Sequence, residues 1–243
     1  MRRLLFAATV LAAAVPAHAQ WTGKGEAGMV FASGNTDTET ANAKLNLKYE
    51  TEHWKNILGG AVLYASDEDG KTANRWETFG ELGWKFTERN FLFGAGRYEE
   101  DEFSGFEYQA TLSGGVGRRF LDNPTTTMVA TVGAGYKFLE TRDSFDPDTG
   151  VLIEEGDSSS EVVFRGTLDF EHKFTATTSL IDKFITESGA DNTFVQNDIS
   201  LQVKMTDVLA LAVGYGVRHN TNPPAEFKKT DTLTTINLVY EIR

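Results

Sequence analysis

The chain alternates. Over residues 40–50, Ala41, Ala43, Leu45, Leu47 and Tyr49 interleave with Asn42, Lys44, Asn46, Lys48 and Glu50, so an extended strand there has one apolar and one polar face. At roughly 3.3 Å per residue the stretch is about 30 Å long, near the length a tilted strand needs to cross a bilayer. The unit recurs. Trp76, Thr78, Gly80, Leu82, Trp84 and Phe86 oppose Arg75, Glu77, Glu81 and Lys85; Phe106, Tyr108, Ala110, Leu112, Gly114 and Val116 oppose Glu107, Gln109, Thr111 and Ser113. Val162, Phe164, Gly166, Leu168 and Phe170 face away from Arg165, Thr167, Asp169 and Glu171, and Ile199, Leu201, Val203 and Met205 from Asp198, Ser200, Gln202 and Lys204. Segments 21–31, 57–64, 128–138, 209–217 and 234–242 supply further strands, while 180–186 is weaker, with Asp182 and Lys183 on opposite parities. Segment 91–98 is apolar on both parities, so its facing is ambiguous.

The connections alternate in length. Short ones lie near His53, Glu88, Asn123, Ala176 and Asp207, and longer ones near Asn35, Asp69, Asp101, Gly150, Ala190 and Pro223, the longest being 143–160. An acidic loop is expected over 99–102. Together these predict an all-β fold, an antiparallel transmembrane β-barrel of about twelve strands with short periplasmic turns and longer extracellular loops. Aromatic residues gather at both strand ends: Tyr49, Trp54, Trp84, Phe86, Phe120, Phe174 and Tyr240 beside short turns, and Phe31, Tyr64, Trp76, Phe106, Phe138, Phe184 and Phe194 beside long loops. Membrane interfaces favour two such girdles. A soluble periplasmic barrel or sandwich is the competing fold, and it would bury the apolar parities against a second sheet.

Residues 1–19 change the picture of location. Arg2 and Arg3, an apolar run over 4–15, Pro16 and Ala17-His18-Ala19 read as a secretory signal peptide, which leaves 20–243 as a single barrel domain. The chain has 23 Lys+Arg against 35 Asp+Glu, and without the leader's two arginines the balance is 21 − 35 = −14. So acidic a protein is a poor partner for nucleic acid. With 0 Cys, an exported fold relies on hydrogen-bond closure or a large buried face and not on disulfides.

Three segments carry a resemblance: Trp21-Thr-Gly-Lys-Gly-Glu leading to Ser33-Gly-Asn-Thr-Asp-Thr-Glu-Thr, then Lys48-Tyr-Glu-Thr-Glu-His-Trp-Lys55, and Gly96-Arg-Tyr-Glu-Glu-Asp-Glu-Phe-Ser-Gly-Phe106. The chain resembles, over its whole mature length, a bacterial family of unknown function described as salt-induced outer-membrane proteins. The resemblance implies a barrel in the cell outer membrane of a Gram-negative envelope. It implies no established reaction and supplies no functional residues. The ending Tyr240-Glu241-Ile242-Arg243 departs from the aromatic terminus common in such barrels.

Candidate chemistry is sparse. His53, His172 and His219 are unclustered, and a hydrolase at the barrel mouth would need His219 beside Asp143, Asp146 or Asp191. The acids Asp143, Asp146, Asp148, Glu154, Glu155 and Asp157 share one loop without calcium-loop spacing. No catalytic, cofactor or metal residue is assigned and no cofactor is expected. Closure would instead bring Lys44, Lys48, Arg75, Glu77, Glu81, Lys85, Glu107, Arg165, Asp169, Glu171, Asp198 and Lys204 into the lumen. Mixed charges across a lumen of this size brace or plug it more readily than they select an ion. The expected function is therefore a non-enzymatic, salt- or stress-responsive outer-membrane barrel, with a small-solute or ion pore as first alternative and an outer-surface hydrolase as second. Its expected partners are outer-membrane lipid and the barrel-assembly machinery, and the chain is expected to act as a monomer.

Overall fold

The computed structural model describes residues 21–32, 38–145, 149, 151–223 and 227–243. The proposed leader, the Ser-Gly-Asn-Thr-Asp turn, Asp146, Asp148 and Pro224 lie outside them. The elements are β1 (Trp21–Ala32), β2 (Thr38–Glu50), β3 (Trp54–Asp67), β4 (Gly70–Lys85), β5 (Asn90–Asp101), β6 (Phe106–Asp122), β7 (Thr126–Thr141), β8 (Ser144–Phe145), β9 (Leu152–Glu154), β10 (Ser158–Lys173), β11 (Thr178–Ser188), β12 (Thr193–Lys204), β13 (Leu209–Asn220) and β14 (Thr230–Ile242). Twelve strands close in the cyclic order β1-β14-β13-β12-β11-β10-β7-β6-β5-β4-β3-β2, every neighbour antiparallel. Strands β8 and β9 form a separate two-stranded hairpin.

Alternation dictates which face goes where. Leu45, Leu58, Leu82, Leu112, Val132, Val162, Leu201, Val213 and Ile236 are exposed on the exterior, and among the described residues no second sheet covers them. Apolar side chains in that position are satisfied by hydrocarbon, so the bilayer stands in for the second layer of a sandwich. Trp54, Trp84, Phe86, Phe120, Phe174 and Tyr240 are exposed at the short-turn end, and Tyr64, Trp76, Tyr136 and Phe138 at the long-loop end. On β11, Lys183 points inward while Asp182 lies on the exterior parity, where its Oδ1 accepts a hydrogen bond from Asn197 Nδ2 at 2.6 Å.

The short turns share one device. A side-chain oxygen takes the backbone N–H three residues on: Thr51 from Trp54 at 3.0 Å, Thr87 from Asn90 at 2.9 Å, Asn123 from Thr126 at 2.9 Å, Thr175 from Thr178 at 2.9 Å and Thr206 from Leu209 at 3.0 Å. Such local bonds hold a reversal tight without glycine.

Several expectations are corrected. The connection near Asp69 is a tight reversal over 68–69, closed by Gly70 at φ +132°, because β3 and β4 pair out to Asp67 and Gly70. Residues 99–101 are not loop: β5 continues to Asp101, paired with β4. The loop after β7 is shorter than 143–160, since β10 starts at Ser158 and the β8–β9 hairpin occupies part of it. Phe106 does not join the outer girdle. A β-bulge between Phe106 and Tyr108 breaks the parity, and Phe106 is only 4% exposed. Phe194 also leaves the girdle, because it shares the inward parity of Gln196 and Asp198 and is 1% exposed. The ambiguous strand resolves as Phe91 and Phe93 inward and Leu92 outward. Inward Phe91 fits because Gly117 across the wall lacks a Cβ, which would fall 2.1 Å from the ring; Gly59 makes the same room, 2.3 Å, for Phe79.

Candidate functional site

The long-loop half of the lumen is crossed by charge. Arg97 and Glu99 stand two apart on β5 and so share its inward face. Glu99 accepts from Arg97 Nη2 through Oε2 at 2.5 Å and from Arg218 Nη2 through Oε1 at 2.5 Å. Arg218 is on β13, the strand six places from β5 in a ring of twelve, so this bond joins opposite walls. A circular twelve-stranded barrel measures about 24 Å between opposite backbones, given strand spacing near 4.8 Å and a tilt of about 40°. Arginine and glutamate laid end to end fall short of that, so the section here is flattened.

Further contacts thicken the crossing. Arg97 also donates from Nε and Nη2 to Glu77 Oε2 at 3.1 and 2.8 Å. Glu187 on β11 receives Lys137 from β7 at 3.8 Å, Arg165 from β10 at 3.9 Å and the Thr111 hydroxyl from β6 at 3.2 Å. At the centre lies the Phe194 ring, with Arg97, Arg218 and Lys137 at 5.1, 5.2 and 5.4 Å from its centroid. Cations against a ring face are attracted by its quadrupole, and more strongly where water is excluded. Glu99, Lys137, Glu187 and Phe194 are all fully buried.

Below this layer the lumen opens into two adjoining cavities of about 510 and 560 Å³ that share Lys44, Lys48, Glu77, Lys183 and Asp198. Their linings reach Arg243, Lys204, Glu50 and Asp122 at the short-turn end, and neither is lined by Glu99, Lys137, Glu187, Phe194 or Arg218. At the short-turn rim Glu50 gathers Lys85 at 2.6 Å, Arg119 at 2.7 Å and Lys48 at 2.8 Å, a brace linking β2, β4 and β6.

Of the residues predicted from sequence, Lys44, Lys48, Arg75, Glu77, Glu81, Arg165, Asp169, Glu171, Asp198 and Lys204 line these cavities. Lys85 sits at the short-turn rim, bonded to Glu50 and to the Thr51 carbonyl at 2.8 Å. Glu107 stands apart from the cavities, beside the bulge, with an exposed side chain 3.3 Å from Arg142. Sequence reading missed Arg97, Glu99, Lys137, Glu187, Phe194 and Arg218. Their parity was legible, but which inward residues meet across a closed ring depends on strand order and flattening. Glu102, in the turn after β5, is held below the usual carboxylate range by a hydrogen bond from the Asn74 side chain and by Lys71 at 3.2 Å. His219 Nδ1 pairs with Thr230 Oγ1 at 2.8 Å, and Asp143 Oδ1 takes the Gly156 N–H at 2.8 Å. The Asp191 backbone N–H donates to Glu161 at 3.1 Å, and among the described residues none of these bonds joins His219 to Asp143 or Asp191.

A solved structure shares this fold. The translocator domain of the autotransporter NalP from Neisseria meningitidis superposes with a TM-score of 0.52 at 10% identity, covering 92% of this chain and 88% of that one. A NanC porin structure superposes with a TM-score of 0.47 at 10% identity, over 91% of this chain and 98% of that chain. In sequence, the Escherichia coli (strain K12) protein "Uncharacterized protein YdiY" is 25% identical over 237 residues, 96% of this chain and 88% of the relative. The closed ring and its apolar exterior make this protein an outer-membrane β-barrel. Residues 25–242 match one family along nearly the whole barrel, and the chain belongs to that family, described as "Protein of unknown function, DUF481".

Proposed function

We propose that this protein is a non-enzymatic structural barrel of the outer membrane whose lumen is braced shut at its long-loop end. The observation that carries the reading is the Arg218–Glu99–Arg97 bridge between opposite walls, packed on Phe194. A conducting pore needs continuous water from rim to rim, and a buried charge network across a flattened section interrupts it. In this reading residues 1–19 direct export, the barrel-assembly machinery inserts residues 20–243 as a monomer, and short turns face the periplasm. The mixed charges of the lumen then serve to hold the walls in register, a role suited to salt or envelope stress.

The second reading, a small-solute pore, draws on the open cavities of the short-turn half. Liposome swelling separates the two. Refolded barrel in liposomes challenged with a pentose gives no swelling above protein-free vesicles if the lumen is braced, whereas swelling that scales with protein content overturns the structural reading.

A further inference from the structure

The seam where the barrel closes is half unzipped. Strands β1 and β14 pair only from Gly23↔Ile242 to Ala27↔Leu238, although β1 runs on to Ala32 and β14 begins at Thr230. Every other ladder in the ring is at least twice as long; β13 and β14, for example, pair from Leu209↔Tyr240 to His219↔Thr230. At the fork Asn237 is buried with Oδ1 lacking a hydrogen-bond partner, and the strands still touch there, since a Cβ on Gly28 would lie 2.1 Å from that oxygen and 2.7 Å from the Ile236 carbonyl oxygen. Beyond it the strand edges are unpaired with each other on the long-loop side. Backbone polar groups left so in hydrocarbon are costly, and a natural barrel tolerates them only where something polar or watery lies behind.

Something does lie behind. The 510 Å³ cavity is lined by Leu233, Thr235 and Asn237 of the unpaired stretch of β14 and by Lys24 and Glu26 of β1. Its walls carry eight Lys and Arg against five Asp and Glu, inverting the 23 to 35 balance of the chain. Some of these cations are already paired: Lys44 with Asp198 at 3.8 Å and Lys204 with Glu241 at 3.2 Å. Lys183 has no carboxylate within 4.0 Å among the described residues, and Lys24 reaches only the neutral Gln202 Oε1 at 3.4 Å. Outside the slit the flanking side chains are apolar and uncovered, Met29 at 65% and Ile236 at 54% exposure.

We infer that this cavity and slit form a site for an anionic amphiphile, a phosphate-bearing lipid or lysolipid whose headgroup lies against Lys24 and Lys183 and whose acyl chain leaves between β1 and β14 into the membrane. A basic pocket alone would hold any small anion, and an apolar slit alone any acyl chain. The unpaired stretch of β14 borders the cavity through Leu233, Thr235 and Asn237, and a molecule with both parts would use the pocket and the seam together. With the long-loop end crossed by the Glu99 bridge, the slit is the outlet on that side of the cavity. The inference rests on that closure for the absence of an axial exit at the long-loop end; solute permeation tests the closure, lipid retention tests this site, and either can fail alone.

The test uses the full mature barrel refolded in neutral detergent and three probes: lysophosphatidylglycerol, lysophosphatidylcholine of the same chain length, and glycerol phosphate. Retention after detergent exchange is read by native mass spectrometry and affinity by calorimetry. The site predicts one lysophosphatidylglycerol per barrel, held at least about tenfold more tightly than either other probe, the tenfold step corresponding to about 1.4 kcal/mol. In Lys24→Gln/Lys183→Gln that preference disappears, with the heat-modifiable gel mobility that marks a folded barrel unchanged. Equal retention of the choline lysolipid, equal affinity for glycerol phosphate, or an undiminished preference in the folded double variant overturns the inference. If the double variant fails to fold, Lys183→Gln alone is read against the same three probes, and a preference unchanged in it counts against the site.

Discussion

Glu99 takes a guanidinium on each carboxylate oxygen, and one comes from across the lumen. Removing one member of such a buried group leaves the others desolvated and uncompensated, which costs about 3–5 kcal/mol. Arg218 Nη1 already lacks a hydrogen-bond partner, so its Nη2 bond to Glu99 is not easily replaced. Glu99→Gln, nearly isosteric, is therefore expected to lower barrel stability by about that amount, read as a lower urea midpoint for the heat-modifiable band. Gly117 makes a second residue-scale case. Any Cβ there meets the Phe91 ring, so Gly117→Ala is expected to cost about 1–3 kcal/mol through overpacking. Gly117→Ala/Phe91→Leu recovers part of the loss in the same urea titration. Neither feature was legible in the sequence. An inward Phe opposite a glycine, or an arginine opposite a glutamate six strands away, becomes visible only when register and ring order are known.

At the scale of elements the sequence carried much more. Period-two alternation in β2, β4, β7, β12 and β14 placed their faces correctly, since a one-residue slip would exchange lipid for lumen along a whole strand. It gave less where inward residues are themselves apolar, as in β5, where the Phe91 ring fills space that Gly117 vacates. It failed at the Phe106 bulge, where one extra residue resets the parity. Lipid facing is testable strand by strand. Leu201→Arg, on the exterior of β12, is expected to destabilise the barrel by about 2–4 kcal/mol if near the bilayer midplane, whereas the inward Ser200→Arg faces the water-accessible cavity and is expected to cost less. Comparison of their unfolding midpoints in lipid vesicles checks the assignment, and equal costs contradict it. Closure is testable at the seam, where Glu26 and Val239 are register partners. Glu26→Cys/Val239→Cys is expected to form a disulfide under mild oxidation, seen as a reductant-sensitive mobility shift after boiling. Glu26→Cys/Leu238→Cys, with its thiols on opposite faces, gives none.

Across the whole molecule the charges are sorted. A chain of net charge −12 concentrates its basic side chains within the lumen, where they pair across walls and line the open half, and leaves an acidic excess elsewhere. The result is a barrel bolted at one end and hollow at the other. The lumen's blocked half is the central claim, and single-channel recording in planar bilayers tests it most directly, with Phe194→Ala/Arg97→Ala/Arg218→Ala as the variant that reports inserted barrels by conducting. The account predicts no steady unit current from the unmodified protein under conditions where the triple variant conducts. Sustained openings of the unmodified barrel, comparable to those of the variant, would contradict it.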